Sequence, residues 1–213
     1  MRDTPLMSAS YFAPVAWVAA VLPHRVAYVE AMETFPKQTY RSRMEIMTAG
    51  GVRTLAVPTL RNNHTRMGDV GIDYRTPWPT VHLRTLTAAY AASPYFLYYR
   101  DTLEQLLNSP YERLLDFDLA TARWLLRMMH IDCRLEPTTD WEPHRNDPLD
   151  LRQTFSPKRR MPTTGFASYC QVFADRLPFA HNQSALDLLM NLGPESRSYL
   201  ENIPIKTLTE TPI

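Results

Sequence analysis

LMSASYFAPVAWVAAVLPHRVAYVE, Leu6 to Glu30, is the stretch whose reading decides the fold. Residues 6–12 can be extended, although Ser8, Ala9 and Ser10 make a weak strand. Pro14 fits the first position of a helix, because its fixed φ suits that place and its missing N–H costs nothing there. The body over residues 15–22 (VAWVAAVL) is apolar nearly all round, which predicts a helix buried against a sheet. Pro23 ends it, and residues 25–30 (RVAYVE) alternate in the manner of a second strand. Strand, tight loop, helix and strand open an α/β domain, in which ligands sit outside the carboxyl ends of the strands. Free N–H groups at the helix start attract anions there, and Tyr11 and Phe12 would lie at that mouth. No Gly-rich fingerprint accompanies them, so neither a P-loop nor a dinucleotide motif is present. The apolar run over residues 11–22 has the length of a signal peptide, but Pro14 interrupts it, Asp3 offsets Arg2 and no A-x-A site follows. It is also too short to span a bilayer.

Downstream lies FPKQTYRSRMEIMTAGGVRTLAVP, residues 35–58, which packs Lys37, Arg41 and Arg43 into one short run. Two runs behind them, 44–47 and 52–57, read as a hairpin across Thr48-Ala49-Gly50-Gly51, where glycine can take positive φ. In an extended chain Arg41 and Arg43 share a face, and two guanidiniums on one rigid edge suit a carboxylate or phosphate. The competing reading is a solvated basic edge strand that resists aggregation.

Length and composition set the outer limits. A chain of 213 residues fits one domain and buries a sizeable core. Lys and Arg total 23 against 22 Asp and Glu, a balance that argues against bulk electrostatic nucleic-acid binding. Cys133 and Cys170 make neither a disulfide framework nor a C-x-x-C pair, and the six histidines show no metal-ligand spacing. No metal site is expected, and no motif assigns a cofactor.

Further along, residues 61–68 are a polar connection and 69–74 (DVGIDY) a short strand. Thr76-Pro77-Trp78-Pro79 opens a helix over residues 80–92 that carries His82, either a packing residue or a base. The run 95–99 (YFLYY) suits core or a ligand wall. Asp101-Thr102-Leu103-Glu104 and Ser109-Pro110-Tyr111-Glu112 both have capping-box form, the second opening a helix with Leu115, Leu119, Ala122, Leu126 and Met129 on one face. Residues 134–165 are proline-rich, alternate charge sign and lack an apolar period, which predicts a long loop acting as a lid or flexible excursion. The basic cluster Pro157-Lys158-Arg159-Arg160 within them reads as solvated loop. Ser184 and Asp187 form another cap, for a helix over residues 185–192 closed by Gly193-Pro194, and the chain from Ile203 on reads as a frayed tail.

Four of these stretches together resemble the WbqC-like family of bacterial proteins in its Bacteroidetes-type form. Ser10-Tyr11-Phe12-Ala13-Pro14 is similar to its opening Y-[LF]-x-P-x-x-[YW]. Tyr28-Val29-Glu30 with Lys37-Gln38-Thr39-Tyr40-Arg41-Ser42-Arg43 resembles its E…KQTYRNR signature, with Ser42 where Asn is expected. Trp78, His82, Tyr90, Ser93-Pro94-Tyr95-Phe96 and Tyr98-Tyr99 follow its W…H…Y..SP[FY]FxYY block. Gln171-Val172-Phe173, Phe179, Asn182, Ser184, Asp187-Leu188-Leu189 and Asn191-x-Gly193-Pro194-Glu195 match its C-terminal QVF…DLLFN.GPE, with Cys170 replacing an aromatic. The resemblance implies a cytoplasmic protein of surface-polysaccharide (O-antigen type) biosynthesis, working on or near a nucleotide-linked sugar; it carries over a pathway and no mechanism.

Taken together, the expectation is an α/β single domain with a mixed sheet and a helical C-terminal half. Its parts are a strand-rich anion-binding part (1–75), a helical part (76–133), the long loop (134–165) and a C-terminal helical block (166–200). The partner is a phosphate-bearing small molecule such as a nucleotide sugar, held by Lys37, Arg41 and Arg43 and by the motif residues Tyr11, Gln38, Tyr90 and Asn182. His82 is the candidate general base, with Glu30 or Asp101 orienting or replacing it. The alternative is a non-catalytic protein that binds a sugar nucleotide or another enzyme of the pathway. An exposed aromatic groove without a coupled His–carboxylate pair would favour that alternative.

Overall fold

The computed structural model describes residues 4–143, 147–159 and 161–210. Strand β1 (Leu6–Ser8), helix α1 (Val15–Val21) and strand β2 (Val26–Glu30) form the expected opening unit, with Leu6 opposite Tyr28 and Ser8 opposite Glu30 in parallel register. Every residue of α1 is buried, as its all-round apolar sequence demands. Pro14 is the extended residue just before the helix rather than its first member. β1 stops at Ser8 because the chain must turn sharply, and Phe12 takes φ +40, a strained value for an aromatic residue. That turn is held from both sides: Thr121 Oγ1 accepts from the Phe12 N–H, and Ser184 Oγ donates to its carbonyl.

The hairpin follows as β3 (Arg43–Thr48) and β4 (Gly51–Ala56), with Gly51 alone of the glycine pair at positive φ (+97). Short strands β5 (Thr59–Leu60) and β6 (Gly71–Ile72) pair antiparallel. The helical half holds α2 (Trp78–Tyr90), α3 (Phe96–Asn108), α4 (Leu114–Met128), α5 (Ala185–Leu192), α6 (Ser196–Glu201) and α7 (Ile205–Glu210). Between α4 and α5, strand β7 (Arg134–Pro137) joins β2 in parallel, giving the order β1-β2-β7. Parallel and antiparallel pairing are thus both present, as expected, distributed over three small sheets among the described residues. One hydrophobic cluster runs from Met7 to Leu208.

Several local expectations are corrected. Residues 134–165 are not a structureless loop: besides β7, Leu149 and Leu151 bond to both sides of Leu6 on the outer edge of β1, and Leu151, Phe155 and Met161 are buried. Arg160 of the basic cluster, like His144, lies outside the described residues. The capping-box sequence at Ser109 does not cap α4, which begins at Leu114; the Ser109 hydroxyl instead donates to the Gln105 carbonyl at the end of α3 (2.7 Å). α3 begins at Phe96, so the aromatic run enters a helix. Ser184 caps α5 as expected, but Asp187 turns away to Tyr169 and Gln171. The tail is helical in α7, and Leu208 packs so closely on Gly165 that a Cβ there would lie 2.7 Å from it.

Candidate functional site at the carboxyl end of the parallel sheet

Alternation along the strands sends Met7, Ala27, Val29 and Leu135 into the core. The opposite face carries Leu6, Tyr28 and Glu136 in one cross-strand row and Ser8 and Glu30 in the next. Over this face lies a hollow of about 580 Å³, whose walls include Tyr28, Glu30, Glu136, Thr138, Asp140 and Glu142. It occupies the position where α/β sheets bind ligands, at the carboxyl ends of β2 and β7. Its chemistry is acidic and hydroxylic around one half-buried tyrosine.

Glu30, fully buried, is fixed by three contacts. Its Oε1 accepts from the Met32 N–H (2.8 Å) and the Thr138 hydroxyl (2.9 Å), while Oε2 pairs with Arg152 (2.8 Å). Its charge also repels that of Glu33 on the connection beyond β2. Arg152, 2% exposed, spends its remaining donors on the Asp150 carboxylate and the Glu142 and Pro143 carbonyls. One guanidinium thereby ties Glu142, Pro143 and Asp150 to the end of β2. A charge so fully engaged is a positioning element. Glu30 accordingly does not orient His82.

The three cations expected to grip an anion are dispersed. Arg41 is buried in a turn, outside the strand, and its Nε and Nη2 both bind Glu33 Oε1 (2.7 and 2.6 Å). Burial pushes the Glu33 carboxyl up, and the Arg41 charge pulls the other way. Arg43 is half-buried as the first residue of β3. Lys37 is exposed and lines a wide surface hollow with Thr59, Arg61, Asn62 and Asn63, whose wall includes neither Arg41 nor Arg43. Gln38 is exposed beside it at φ +60. The shared-face argument fails because the chain is extended only from Arg43 onward.

The start of α1 is closed to anions. Val15 N–H donates to the Gln183 carbonyl, Ala16 N–H to Asn182 Oδ1 (2.9 Å) and Trp17 N–H to Pro14. Asn182 is therefore a helix cap supplied from 166 residues away in sequence, held at φ +53, a region Asn tolerates. Tyr11 and Phe12 are fully buried, not at a mouth. The Tyr11 hydroxyl lies 2.9 Å from His82 Nδ1, and the Ala56 backbone acts on the ring in favour of its charged form. Which group donates between Tyr11 and Nδ1 follows the imidazole tautomer. Burial lowers the His82 pKa to about 4, with the Ala56 bond opposing and Arg53 assisting. A neutral, buried imidazole bonded to a phenol and a carbonyl is built as a packing group; Asp101, exposed on α3, is not part of its surroundings.

Tyr90 is buried near Asp187, whose carboxylate accepts from the Tyr169 hydroxyl (2.6 Å) and Gln171 (2.7 Å); the Tyr90 hydroxyl feels that charge but lacks hydrogen-bonding geometry. Sequence reasoning missed Asp118, a fully buried acid on α4 with neither oxygen hydrogen-bonded among the described residues. Burial holds its carboxyl well above the usual range, against the pull of Arg41. The signal was available: Asp118 stands three residues after Leu115 and four before Ala122, on the apolar stripe. Arg152 and Glu33 offered no such signal, since their pairing is tertiary.

Among the described residues no cluster of His, Cys, Asp and Glu is placed to hold a metal ion, and no helix is long and apolar enough to cross a membrane. The model of the WbqC-like protein family matches residues 25–171, a span that includes Tyr28, Glu30, Lys37 to Arg43, His82, Glu136 and Arg152. Neither a protein of curated function nor a solved structure matches the chain.

Proposed function

Because the chain belongs to the WbqC-like protein family, we propose that it is a cytoplasmic protein of surface-polysaccharide (O-antigen type) biosynthesis that binds a phosphate-bearing sugar and transfers a group on a nucleotide-linked sugar. The observation that carries this reading is the hollow over the parallel sheet. Carboxylates accept hydrogen bonds from sugar hydroxyls, and a tyrosine ring offers an apolar face to the sugar's C–H groups. Tyr28, Glu136, Asp140 and Thr138 supply both features on one wall. The same carboxylates would repel a phosphate. A phosphate therefore has to be held by cations outside this wall, and Lys37 and Arg61 line an open hollow that shares no residue with it. For a proton acceptor, Glu136 at the floor of the sugar hollow is better placed than buried His82.

One observation favours the non-catalytic alternative: His82 is paired with Tyr11 and Ala56 rather than with a carboxylate. Mass spectrometry of small molecules that co-purify with the native protein, followed by calorimetric titration with UDP-glucose and glucose 1-phosphate, tests both readings. Tyr28→Ala and Glu136→Gln should each weaken binding about tenfold or more, as loss of a stacking face or charged acceptor does. Lys37→Ala with Arg61→Ala should weaken glucose 1-phosphate and leave free glucose unchanged. Binding that ignores all four substitutions would overturn the assignment; binding without turnover of any nucleotide sugar would select the non-catalytic reading.

A further inference from the structure

Where α3 begins, α4 ends and Pro194 follows α5, a separate hollow of about 490 Å³ opens, lined by Tyr95, Tyr98, Tyr99, Met128, Arg127 and His130. Its rings are held before any ligand arrives. Tyr95 rests on Gly193, which sits at φ +54 and whose absent Cβ would lie 2.6 Å from the ring; the Tyr95 N–H donates to the Met190 carbonyl. Tyr99 is buried edge-on to Trp124, and Tyr98 stands perpendicular to Tyr99 with ring centres 4.9 Å apart. His130 is fixed at φ +55 at the end of α4, and Arg197 donates to its carbonyl (2.7 Å).

Two features of this corner are left open to solvent. Tyr98 is 79% exposed beside Leu97 at 75%, so a large apolar surface is left in water. Arg127 has no side-chain hydrogen bond or ion pair among the described residues, although Asp and Glu are plentiful in the chain. Edge-to-face tyrosines, one of them with an exposed ring, beside an uncommitted guanidinium fit a planar ring that carries an anionic group. The Arg127 guanidinium disfavours a quaternary-ammonium ligand, and the volume falls in the range of ordinary small-ligand sites. The geometry points to a second binding site here, for a nucleoside monophosphate, with its base against Tyr98 and its phosphate on Arg127 and His130. It does not rest on the sugar reading, because none of its residues lines the hollow over the sheet.

Isothermal titration of the full chain with UMP and AMP, beside uridine, adenosine and inorganic phosphate, tests the site. Both nucleotides should bind, and the nucleosides and phosphate alone should bind at least tenfold more weakly. Tyr98→Ala should weaken nucleotide binding about five- to hundredfold, as loss of a stacking partner does. Arg127→Gln should cost about ten- to hundredfold for nucleotides and leave nucleosides unchanged. Both side chains are exposed, so circular dichroism should show both variants folded. Glucose 1-phosphate should bind the Tyr98→Ala and Arg127→Gln variants as it binds wild type, which separates failure here from failure of the sugar reading. Absence of binding at millimolar nucleotide, wild-type affinity in both variants, or phosphate binding as tightly as UMP would each overturn the assignment.

Discussion

Arg152→Ala is the substitution that probes the architecture of the sheet end most severely. It removes a guanidinium that is 2% exposed and donates to Glu30, Asp150 and two backbone carbonyls. Glu30, with no exposed surface, would keep its Met32 and Thr138 bonds but lose its only counter-ion among the described residues. Breaking one side of a buried pair costs about 3–5 kcal/mol, because the remaining charge is left uncompensated. For a chain of this size that corresponds to a fall in Tm of about 6–20 °C. The loss should also be local, since Glu142, Pro143 and Asp150 are held to β2 by this side chain. Urea denaturation followed by circular dichroism measures the global effect, and limited proteolysis should find new early cuts within residues 138–155. The double variant Glu30→Gln with Arg152→Met should recover part of the loss, because the Glu30 charge is removed with its partner, although Asp150 still loses the guanidinium. A destabilisation under about 1 kcal/mol, or two single effects that simply add, would refute the reasoning.

Three further outcomes follow from the same polar line. Arg41→Ala should lower stability by about 1–3 kcal/mol in urea melts, since it leaves Glu33 partly buried without its cation; unchanged stability with weakened glucose 1-phosphate binding would restore Arg41 to a ligand role. His82, with its pKa near 4 against about 6.5 when unfolded, takes up its proton first in the unfolded state, so its contribution is complete above about pH 6.5 and is lost as pH falls toward 4. NMR should accordingly find its ring neutral at pH 5.5, and a midpoint near 6.5 would contradict the burial argument. Asp118 has the opposite sign: its folded carboxyl keeps a proton that the unfolded chain releases near pH 4, so it costs stability as pH rises from there. Asp118→Asn should therefore gain on wild type between pH 4 and pH 7 in urea melts, and an equal or shrinking difference would show that Asp118 is not held protonated.

The elements legible in the sequence were those whose signal is local. The apolar run of residues 15–22, the alternation of 25–30 and the Ser184 cap each state their structure within a few residues, and α1, β2 and α5 formed accordingly. The strap failed as a loop because β7 needs only four residues, and its anchors at Leu149, Leu151 and Arg152 find partners in β1 and β2, more than 120 residues earlier. Capping sequences misled for a related reason: Ser109 and Asp187 had competing acceptors and donors outside their own helices. The site was legible only as composition. Glu30 reads from sequence as a group that orients or replaces the His82 base, whereas it stands at the sheet end as an anchored wall of the hollow. Arg41 was chosen as an anion grip, but it already has Glu33. Tyr28 and Glu136 share a face only because β2 and β7 pair in register, which no local pattern states.

A crystal structure of the protein with UDP-glucose bound tests the central claim most directly. The account predicts the glucose ring in the hollow over the parallel sheet, against Tyr28 with its hydroxyls donating to Glu136 or Asp140, and no sugar density beside His82. Sugar density anywhere else, with that hollow empty, would contradict it.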